Sequence, residues 1–427
     1  MGFSQALSGL NAAKSNLDVL GNNIANSQTV GFKSSNTQFA DVFANADVGL
    51  GTQVSAVLQD FSAGNLEATD RELDLAISGN GFFRFEQGGE AVYSRNGQLT
   101  MDADGYLVNA QGAKVMGYGL SDPDDPFSEM VAGGQPEVLN VPGDIMPASA
   151  TNQVDAVYNL DASIDETNNA IKETAKVQTA GGEQELDYHY SNSFTVYDSL
   201  GNPRNVTAYY EKTGQNTWQG KVAIDGYYDA SGENDFSINF AEGGSLLTGE
   251  DGIIGVAGNA GTGRAANITF EADELGGEAA DLNFEMALAG TTQFANDSTA
   301  SSLTQNGYTS GAMVGITVED DGTIMRNFAN EESVAAGQIA MASFVNPEGL
   351  QAAGDNAWVA TTASGPELVG KPGEGVLGSI SSGAVETSNV DMASELVDMI
   401  VAQRAYQANS QTIKIEDELL QSAVNLR

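Results

Sequence analysis

Two glycine-containing segments hold residues that could bind phosphate. Residues 365–372 read GPELVGKP, which has the glycine and lysine spacing of a P-loop. Pro372 stands where that loop needs a magnesium-binding hydroxyl, and proline has no backbone N–H to donate to phosphate. Residues 261–266 read GTGRAA, which carries two glycines of a dinucleotide-binding fingerprint but lies among strand patterns. We therefore predict that both segments are loops and that the protein has no nucleotide cofactor.

Metal and acid–base chemistry have equally few candidates. Asp102, Asp104 and Gly105 begin like a calcium loop, but the later ligands and the closing glutamate are missing, so a hairpin turn is the better interpretation. His189 is the only histidine, which excludes two-histidine zinc sites and leaves one candidate for a histidine-based triad. The absence of cysteine excludes disulfides and thiolate ligands. We predict no catalytic residues, no metal ligands and no enzyme activity.

The charge of the chain limits its partners. A net charge of −41, with 17 Lys and Arg residues, argues against nucleic acid, because phosphate binding needs clustered cations. It disfavours anionic membranes for the same reason. The sequence has no run of about 18 apolar residues, so it predicts no membrane span. The N-terminal residues lack the features of a cleavable signal peptide. The protein is expected either in the cytoplasm or outside the cell by a route that leaves the N-terminus uncut.

Both ends of the chain have the apolar spacing of amphipathic helices. In residues 1–27 apolar side chains recur at steps of three, four and seven. From residue 389 onward a seven-residue series runs through Met392, Met399, Tyr406, Ile413 and Leu420, and no Gly or Pro follows Gly383. Two such helices are expected to pair as a coiled coil, within one chain or between neighbouring copies. This pattern predicts a function in assembly.

The middle of the chain has the two-residue alternation of β-strands, divided by turn signals. Residues 194–210 read FTVYDSLGNPRNVTAYY, which predicts a hairpin with Gly201, Asn202 and Pro203 at its tip, and residues 218–228 predict the next strand. Asp321 and Gly322 mark a second turn between alternating strands. Five of the nine prolines lie between residues 120 and 150, as expected of a domain boundary.

These patterns predict a mainly β fold with terminal α-helices, in a nested multidomain architecture with two β domains. We expect a terminal helical coiled-coil domain (1–27 and 388–427), a connector (28–72 and 365–387), a β core domain (73–149 and 306–364) and an inserted outer β domain (150–305). In the connector, Phe32, Phe39, Phe43 and Phe61 are expected to dock on a surface that the sequence does not identify.

Three long segments resemble one family. Residues 16–43 (NLDVLGNNIANSQTVGFKSSNTQFADVF) and 388–411 (SNVDMASELVDMIVAQRAYQANSQ) resemble the N- and C-terminal signatures of the flagellar rod and hook axial proteins. Between residues 77 and 118, ISGNGFFRF and SRNGQLTMDADGYLVNAQGAKVMGY resemble the family's β core. The large middle insert, with YDSLGNP at 197–203, is more similar to hook than to rod subunits.

The resemblance implies a structural subunit of the bacterial flagellar hook. Such subunits stack helically into a flexible hollow tube that transmits torque from the motor and rod to the filament, as a universal joint. The implied partners are further copies of the chain, the distal rod protein, the hook cap, the hook-length control protein and the hook–filament junction protein. Export through the flagellar type III pathway, without signal cleavage, and an extracellular place in the flagellum are implied too.

The residue pattern and the resemblance together suggest roles for particular residues. Ser388 and Asp391 are expected to begin the C-terminal helix as a capping box. The helix-to-connector junction is expected at Asn22, Asn23, Asn26, Gly31 and Phe32. The expected assembly seam consists of Phe3, Leu7, Leu10, Leu17, Leu20, Ile24, Leu396, Met399, Tyr406, Ile413 and Leu420.

Two other functions stay open at this point. A distal rod protein of the same family would form a straight, rigid polymer, so the geometry of the polymer would separate it from a hook. A secreted β-rich adhesin would suit the acidic β middle, but it would have no use for the two apolar helical ends. A hydrolase is a weaker third alternative.

Overall fold

A computed structural model of the chain describes residues 3–42, 51–131, 133–165, 172–247, 252–255 and 264–425. Phe43 and residues 261–263, on which two of the predictions fall, lie outside the described residues. The chain divides into two compact units. Unit 1 consists of Met1–Asp144, Val314–Asn327 and Ser333–Arg427, and unit 2 of Ile145–Met313 and Phe328–Glu332. The finer four-part division of the chain stays a prediction.

Unit 1 begins with a helix and a β-hairpin that pack together. Helix α1 spans Phe3–Ala25, and strands β1 (Ser35–Val42) and β2 (Gly51–Gln59) pair antiparallel. Gly51 lies so close to α1 that a Cβ there would meet Ser8 Oγ at 2.0 Å. Part of the expected connector is therefore an ordered hairpin. Its Phe39 is exposed in the single chain, so the docking predicted for Phe39 stays a prediction.

Short strands then build the first half of the β core in unit 1. They are β3 (Leu66–Ala68), β4 (Asp74–Ser78), β5 (Phe82–Gln87), β6 (Glu90–Ser94), β7 (Gly97–Gln98), β8 (Thr100–Met101), β9 (Leu107–Val108), β10 (Lys114–Tyr118) and β11 (Glu137–Val138). Alternation along β5 buries Phe83 and Phe85 on one face and Phe82 on the other. Phe61 packs edge-on against Phe82, which confirms its predicted docking.

Unit 2 is an all-β body with a large apolar core. Its strands are β12 (Gln153–Asp161), β13 (Glu173–Thr179), β14 (Gly182–Tyr188), β15 (Tyr190–Tyr197), β16 (Pro203–Gly214), β17 (Thr217–Ile224), β18 (Asp235–Asn239), β19 (Ile253–Gly255), β20 (Ala265–Phe270), β21 (Leu282–Ala287), β22 (Thr292–Phe294) and β23 (Thr299–Gln305). The predicted hairpin is confirmed by β15 and β16, which pair from Tyr190–Tyr210 to Tyr197–Pro203. The next strand ends at Ile224, earlier than predicted, because Asp225 and Gly226 adopt left-handed backbone angles that turn the chain.

The remaining strands complete unit 1. They are β24 (Met313–Val318), β25 (Thr323–Phe328), β26 (Ser333–Ile339), β27 (Met341–Ser343), β28 (Gln351–Gly354), β29 (Ala357–Val359), β30 (Leu368–Gly370), β31 (Ser379–Ser382) and β32 (Ala384–Glu386), with a short 3₁₀-helix at Pro347–Gly349. The main sheet has the order β24-β25-β26-β10-β5-β6-β29-β28, so three strands from the first half of the chain lie between strands from the second half. The predicted turn at Asp321 and Gly322 is confirmed, since Gly322 N donates to Glu319 O at 2.9 Å.

The chain ends in helix α2, Met392–Asn425. Asp391 Oδ1 accepts the backbone N–H groups of Ala393 (2.9 Å) and Ser394 (3.4 Å), so Asp391 caps the helix. Ser388 Oγ instead accepts the N–H of Val390. The expected capping box was therefore wrong in register, although the helix and its pairing with α1 are confirmed.

Candidate assembly interface of the terminal helices

Helix α1 ends in a junction built from asparagine side chains. The backbone N–H and Nδ2 of Asn26 both donate to Asn22 O, at 3.1 and 3.0 Å, which satisfies a carbonyl that the end of the helix leaves free. Thr29 Oγ1 donates to Asn26 Oδ1 at 3.2 Å and holds the following turn. Helix termination therefore accounts for the asparagines at positions 22 and 26.

Gly31 and Phe32 then bring the chain against the β core. Gly31 has a φ of +71°, and a Cβ there would lie 2.7 Å from Asn96 N, so both the backbone angle and the space favour glycine. Its N–H donates to Glu386 O at 2.8 Å, and the Phe32 side chain is buried. These two predicted junction residues thus fix the path of the chain between α1 and β1.

Asn23 connects three elements and is fully buried. Its Oδ1 accepts the N–H of Ser35 at 3.0 Å, and its Nδ2 donates to Ser35 O at 2.9 Å. The same Nδ2 donates to Glu395 Oε1 at 3.1 Å. Burial raises the pKa of Glu395, although the hydrogen bond from Asn23 opposes that rise. One amide thereby ties the end of α1 to the start of β1 and to the first turn of α2.

The two helices pack antiparallel through small and polar side chains. Asn23 lies opposite Glu395, and Gly9 lies opposite Asn409, whose Nδ2 would be 2.9 Å from a Cβ at position 9. Ala12 and Ala402 are buried between these two contacts. An open groove of about 590 Å³ remains between α1, β1 and α2. This register places Phe3 near the level of Ile415, so the last turns of α2 continue beyond the described start of α1.

The predicted seam residues differ in their burial within one chain. Helical geometry places Phe3, Leu10 and Leu17 roughly a third of a turn, and Leu7 about half a turn, from the face that holds Gly9 and Asn23. Of the predicted set, Leu20 is buried, Leu10, Leu17, Ile24, Met399, Tyr406 and Ile413 are half-buried, and Phe3, Leu7, Leu396 and Leu420 are exposed. The chain itself therefore covers only part of the predicted seam, and the seam assignment stays a prediction.

Helix α2 has a second apolar face, which the sequence interpretation missed. By helical spacing, Val397, Val401, Ile415 and Leu419 lie on the side of α2 opposite Tyr406, and Val401 also lines the edge of the groove between α1, β1 and α2. These four residues, here called the outer stripe, are 57% to 61% exposed. The spacing of these residues, at steps of four and fourteen, indicates a shared face, but it is a weaker pattern than the seven-residue series through Met399 and Tyr406.

The segments first considered for chemistry have structural roles. Residues 368–370 form β30, which pairs with β27, and Asp102 Oδ1 accepts the N–H groups of Asp104 and Tyr106 in a turn. His189 Nδ1 accepts the N–H of Lys212 at 3.0 Å, and burial lowers the pKa of its imidazole. Among the described residues there is no group of three or more potential metal ligands, and no helix is long and apolar enough to cross a membrane.

Four family models match consecutive parts of the chain. The description "Flagella basal body rod protein" matches residues 4–33, and "Flagellar hook protein FlgE/F/G D1 domain" matches residues 76–155. "Flagellar basal body protein FlaE D2 domain" matches residues 159–308, and "Flagellar basal body rod FlgEFG protein C-terminal" matches residues 381–426. The two terminal matches contain α1 and α2, and the D2 match lies within unit 2.

Complete relatives are similar over the full length. The chain is 40% identical to the flagellar hook protein FlgE of Escherichia coli (strain K12), with 100% of both chains covered. It is 32% identical to FlgE of Borreliella burgdorferi, covering 99% of this chain and 98% of that one. A crystal structure of the Helicobacter pylori flagellar hook protein FlgE2 shares the fold, with a TM-score of 0.51 at 14% identity, over 75% of this chain and 100% of that one. Because relatives of this identity match the chain from end to end, it belongs to the flagellar hook protein family.

Proposed function

We propose that this hook subunit polymerises helically into a hollow tube through contacts between its terminal helices and those of neighbouring copies. The observation that carries the proposal is the outer stripe of α2, whose four apolar side chains are more than half exposed in the described part of the chain. Since the family is one of structural proteins, assembly is the activity to be explained.

The energetics favour burial of this stripe in a polymer. Complete burial of a Val, Leu or Ile side chain contributes about 1.5–3 kcal/mol, so covering the exposed half of each contributes roughly 1 kcal/mol. The stripe runs over about six turns of α2, which lets a neighbouring helix bury all four residues together. The contribution recurs in every subunit, so a modest gain per residue stabilises a long polymer.

The predicted seam residues have a place in the same proposal. Met399, Tyr406 and Ile413 are half-buried and share, by helical spacing, the side of α2 that holds Ala402. Leu420 lies beyond α1 and would need a neighbouring copy to cover it. Phe3 and Leu7 are exposed on α1 and would supply a further apolar surface. In the tube, each helix pair would therefore contact neighbouring pairs on more than one side.

The outer part of the subunit suits a flexible tube. Acid-rich β surfaces form wet, weakly specific contacts that can slide at little cost, while the helical contacts resist twist. This combination would transmit torque from motor and rod to filament during bending. Export by the flagellar type III pathway, and contacts with the distal rod protein, hook cap, hook-length control protein and hook–filament junction protein, are part of the proposal through the family resemblance.

The test places a charge in the outer stripe. Val401→Asp and Ile415→Asp should abolish hooks in cells that lack their own hook gene, because a carboxylate cannot be desolvated in an apolar contact without a partner. Gln403→Asp is the matched control, since it adds the same charge to an exposed position away from the stripe, and it should leave hooks intact. Electron microscopy of the cells gives the readout. Normal hooks from both stripe variants would contradict the proposed contact.

A further inference from the structure

Three buried charged side chains meet between the terminal helices and the β core of unit 1. Lys33 follows α1, Arg95 follows β6, and Glu386 ends β32 shortly before α2. Their side chains are 0%, 3% and 0% exposed. Lys33 Nζ lies 2.6 Å from Glu386 Oε1, and Arg95 Nη1 lies 3.4 Å from Glu386 Oε2. We call Lys33, Arg95 and Glu386 the neck cluster.

The neck cluster also binds backbone groups of the surrounding segments. Glu386 Oε1 accepts the N–H of Gly64 at 2.8 Å, and Lys33 Nζ donates to Ser62 O at 2.6 Å. Arg95 Nη2 donates to Gly79 O at 2.8 Å. Segments 60–65 and 387–391 are the two places where the chain passes between the helix–hairpin part and the β core. The neck cluster therefore forms hydrogen bonds to segment 60–65, and Glu386 directly precedes segment 387–391. These two segments are here called the crossings.

The electrostatics of the cluster favour specificity over stability. Burial lowers the pKa of both Lys33 and Arg95, and the contact with Glu386 recovers only part of that loss. Two cations share one carboxylate, and Arg95 Nε is buried with no hydrogen-bond partner among the described residues. Buried ion groups of this kind are often no more stabilising than apolar side chains of similar volume, but they permit few alternative arrangements.

We propose that the neck cluster is a latch that fixes the direction in which the α1–α2 pair leaves the β core. Removing Glu386 alone would leave two buried cations without a counter-ion, each held only by a backbone carbonyl, so the arrangement depends on Glu386. Each subunit of the proposed helical polymer then presents its outer stripe in a direction that is fixed within the subunit, so only the contacts between subunits adjust when the tube bends and the spread of hook curvature stays narrow. This inference rests on the proposed polymer, because only a repeated contact converts a small change of angle into a change of shape.

The experiment removes the charges without removing the fold. The variant Lys33→Met/Arg95→Met/Glu386→Gln is neutral and keeps an oxygen to accept the N–H of Gly64. Its thermal midpoint should stay within about 5 °C of the wild type, whereas its hooks should show at least a twofold wider spread of curvature in electron micrographs. Arg84→Met/Glu367→Gln is the matched control: it removes an ion pair of 2.9 Å within the β core, away from the crossings, and should leave curvature unchanged.

The curvature of hooks built by the triple variant tests the proposed latch. A wild-type distribution of curvature from the triple variant would overturn the latch, and folded triple-variant subunits that build no hooks would support it. If the triple variant does not fold, Lys33→Met decides by the same criterion, since it leaves Glu386 balanced by Arg95. Failure of the wild-type chain to build hooks in the same cells would instead overturn the proposed function.

Discussion

Unit 2 and the terminal helices use apolar side chains in opposite ways. In unit 2 the alternating residues of neighbouring strands meet in one core, where Trp218, Tyr210 and Phe236 are almost completely buried. In α2, Ala402 is the one buried residue among the positions whose exposure is described, while seven large apolar side chains from Leu396 to Leu420 remain exposed. Unit 2 therefore buries its core within one chain, whereas most of the large apolar side chains of α2 are left exposed by their own chain.

The difference follows from the geometry of the two elements. A strand has two faces and two hydrogen-bonded edges, so consecutive strands bury one another's side chains within a short stretch of chain. A single long helix presents apolar residues over a third or more of its circumference, and one partner helix covers only part of it. We expect substitutions in unit 2 to change the free energy of unfolding of the monomer, and substitutions in α2 to change assembly.

The largest expected effect on the monomer is at Trp218. This side chain is fully buried, and its Nε1 donates to Gln293 Oε1 at 3.0 Å. Trp218→Ala should lower the free energy of unfolding by about 3–5 kcal/mol, because it leaves a cavity and an unpaired amide. Urea unfolding of the monomer measures this change in the free energy of unfolding. Val397→Ala, in the outer stripe, is the control and should cost less than about 0.5 kcal/mol. Equal losses would remove the contrast between the two regions.

A smaller, pH-dependent effect is expected at Asp198, in the YDSLGNP segment. Burial opposes ionisation of this carboxyl, but hydrogen bonds from the N–H and Nδ2 of Asn202, from Leu200 N and from Arg204 Nε outweigh it and hold its pKa below the ordinary value. A depressed pKa stabilises the folded state above the unfolded value of about 3.9 and loses that contribution as the pH falls through the folded value.

Asp198→Asn should therefore cost about 1.5–3 kcal/mol at pH 7, the range for hydrogen bonds to a charged group. The gap to the wild type should narrow as the pH is lowered below 4, because the wild-type carboxyl then becomes neutral as well. Thermal unfolding at several pH values measures the gap. Asp155→Asn, at a solvent-exposed position of β12, controls for the change in net charge. A gap that stays constant down to pH 3 would contradict this account.

Local patterns predicted the elements, while the contacts between distant elements needed the structure. The tip at Gly201, Asn202 and Pro203 and the turn at Gly322 were readable because turn geometry depends on a few adjacent residues. The β1–β2 hairpin was missed because its residues are mostly polar and only half-buried, so the alternation is faint. The predicted seam consisted of large apolar residues, yet Gly9, Ala12 and Ala402 also lie between α1 and α2, where small side chains let the helices approach closely.

The neck cluster was beyond sequence reasoning for a different reason. Lys33 and Glu386 are separated by 353 positions, and neither residue type is expected in an interior. The one indication in the sequence was Lys33 itself, because it lies within the family-like segment 16–43 of a chain that has few basic residues. Asn23 was identified from the resemblance as a junction residue, but its bond to Glu395 could only be found once both ends of the chain were placed together.

The smallest expected effect on the monomer, and the sharpest separation of the two regions, is at Leu420. Its side chain is 58% exposed, near the end of α2 and beyond α1. Leu420→Asp should change the free energy of unfolding of the monomer by no more than about 0.5 kcal/mol, because the charge stays in water. In the polymer the same site is expected to be covered, where loss of a buried leucine alone costs about 2–5 kcal/mol and recurs in each subunit.

Thermal unfolding of the monomer and hook formation in cells form a paired measurement, with Gln421→Asp as the control for charge. Normal hooks from Leu420→Asp would remove Leu420 from the seam, and a large loss of monomer stability would place it in the core of the subunit itself.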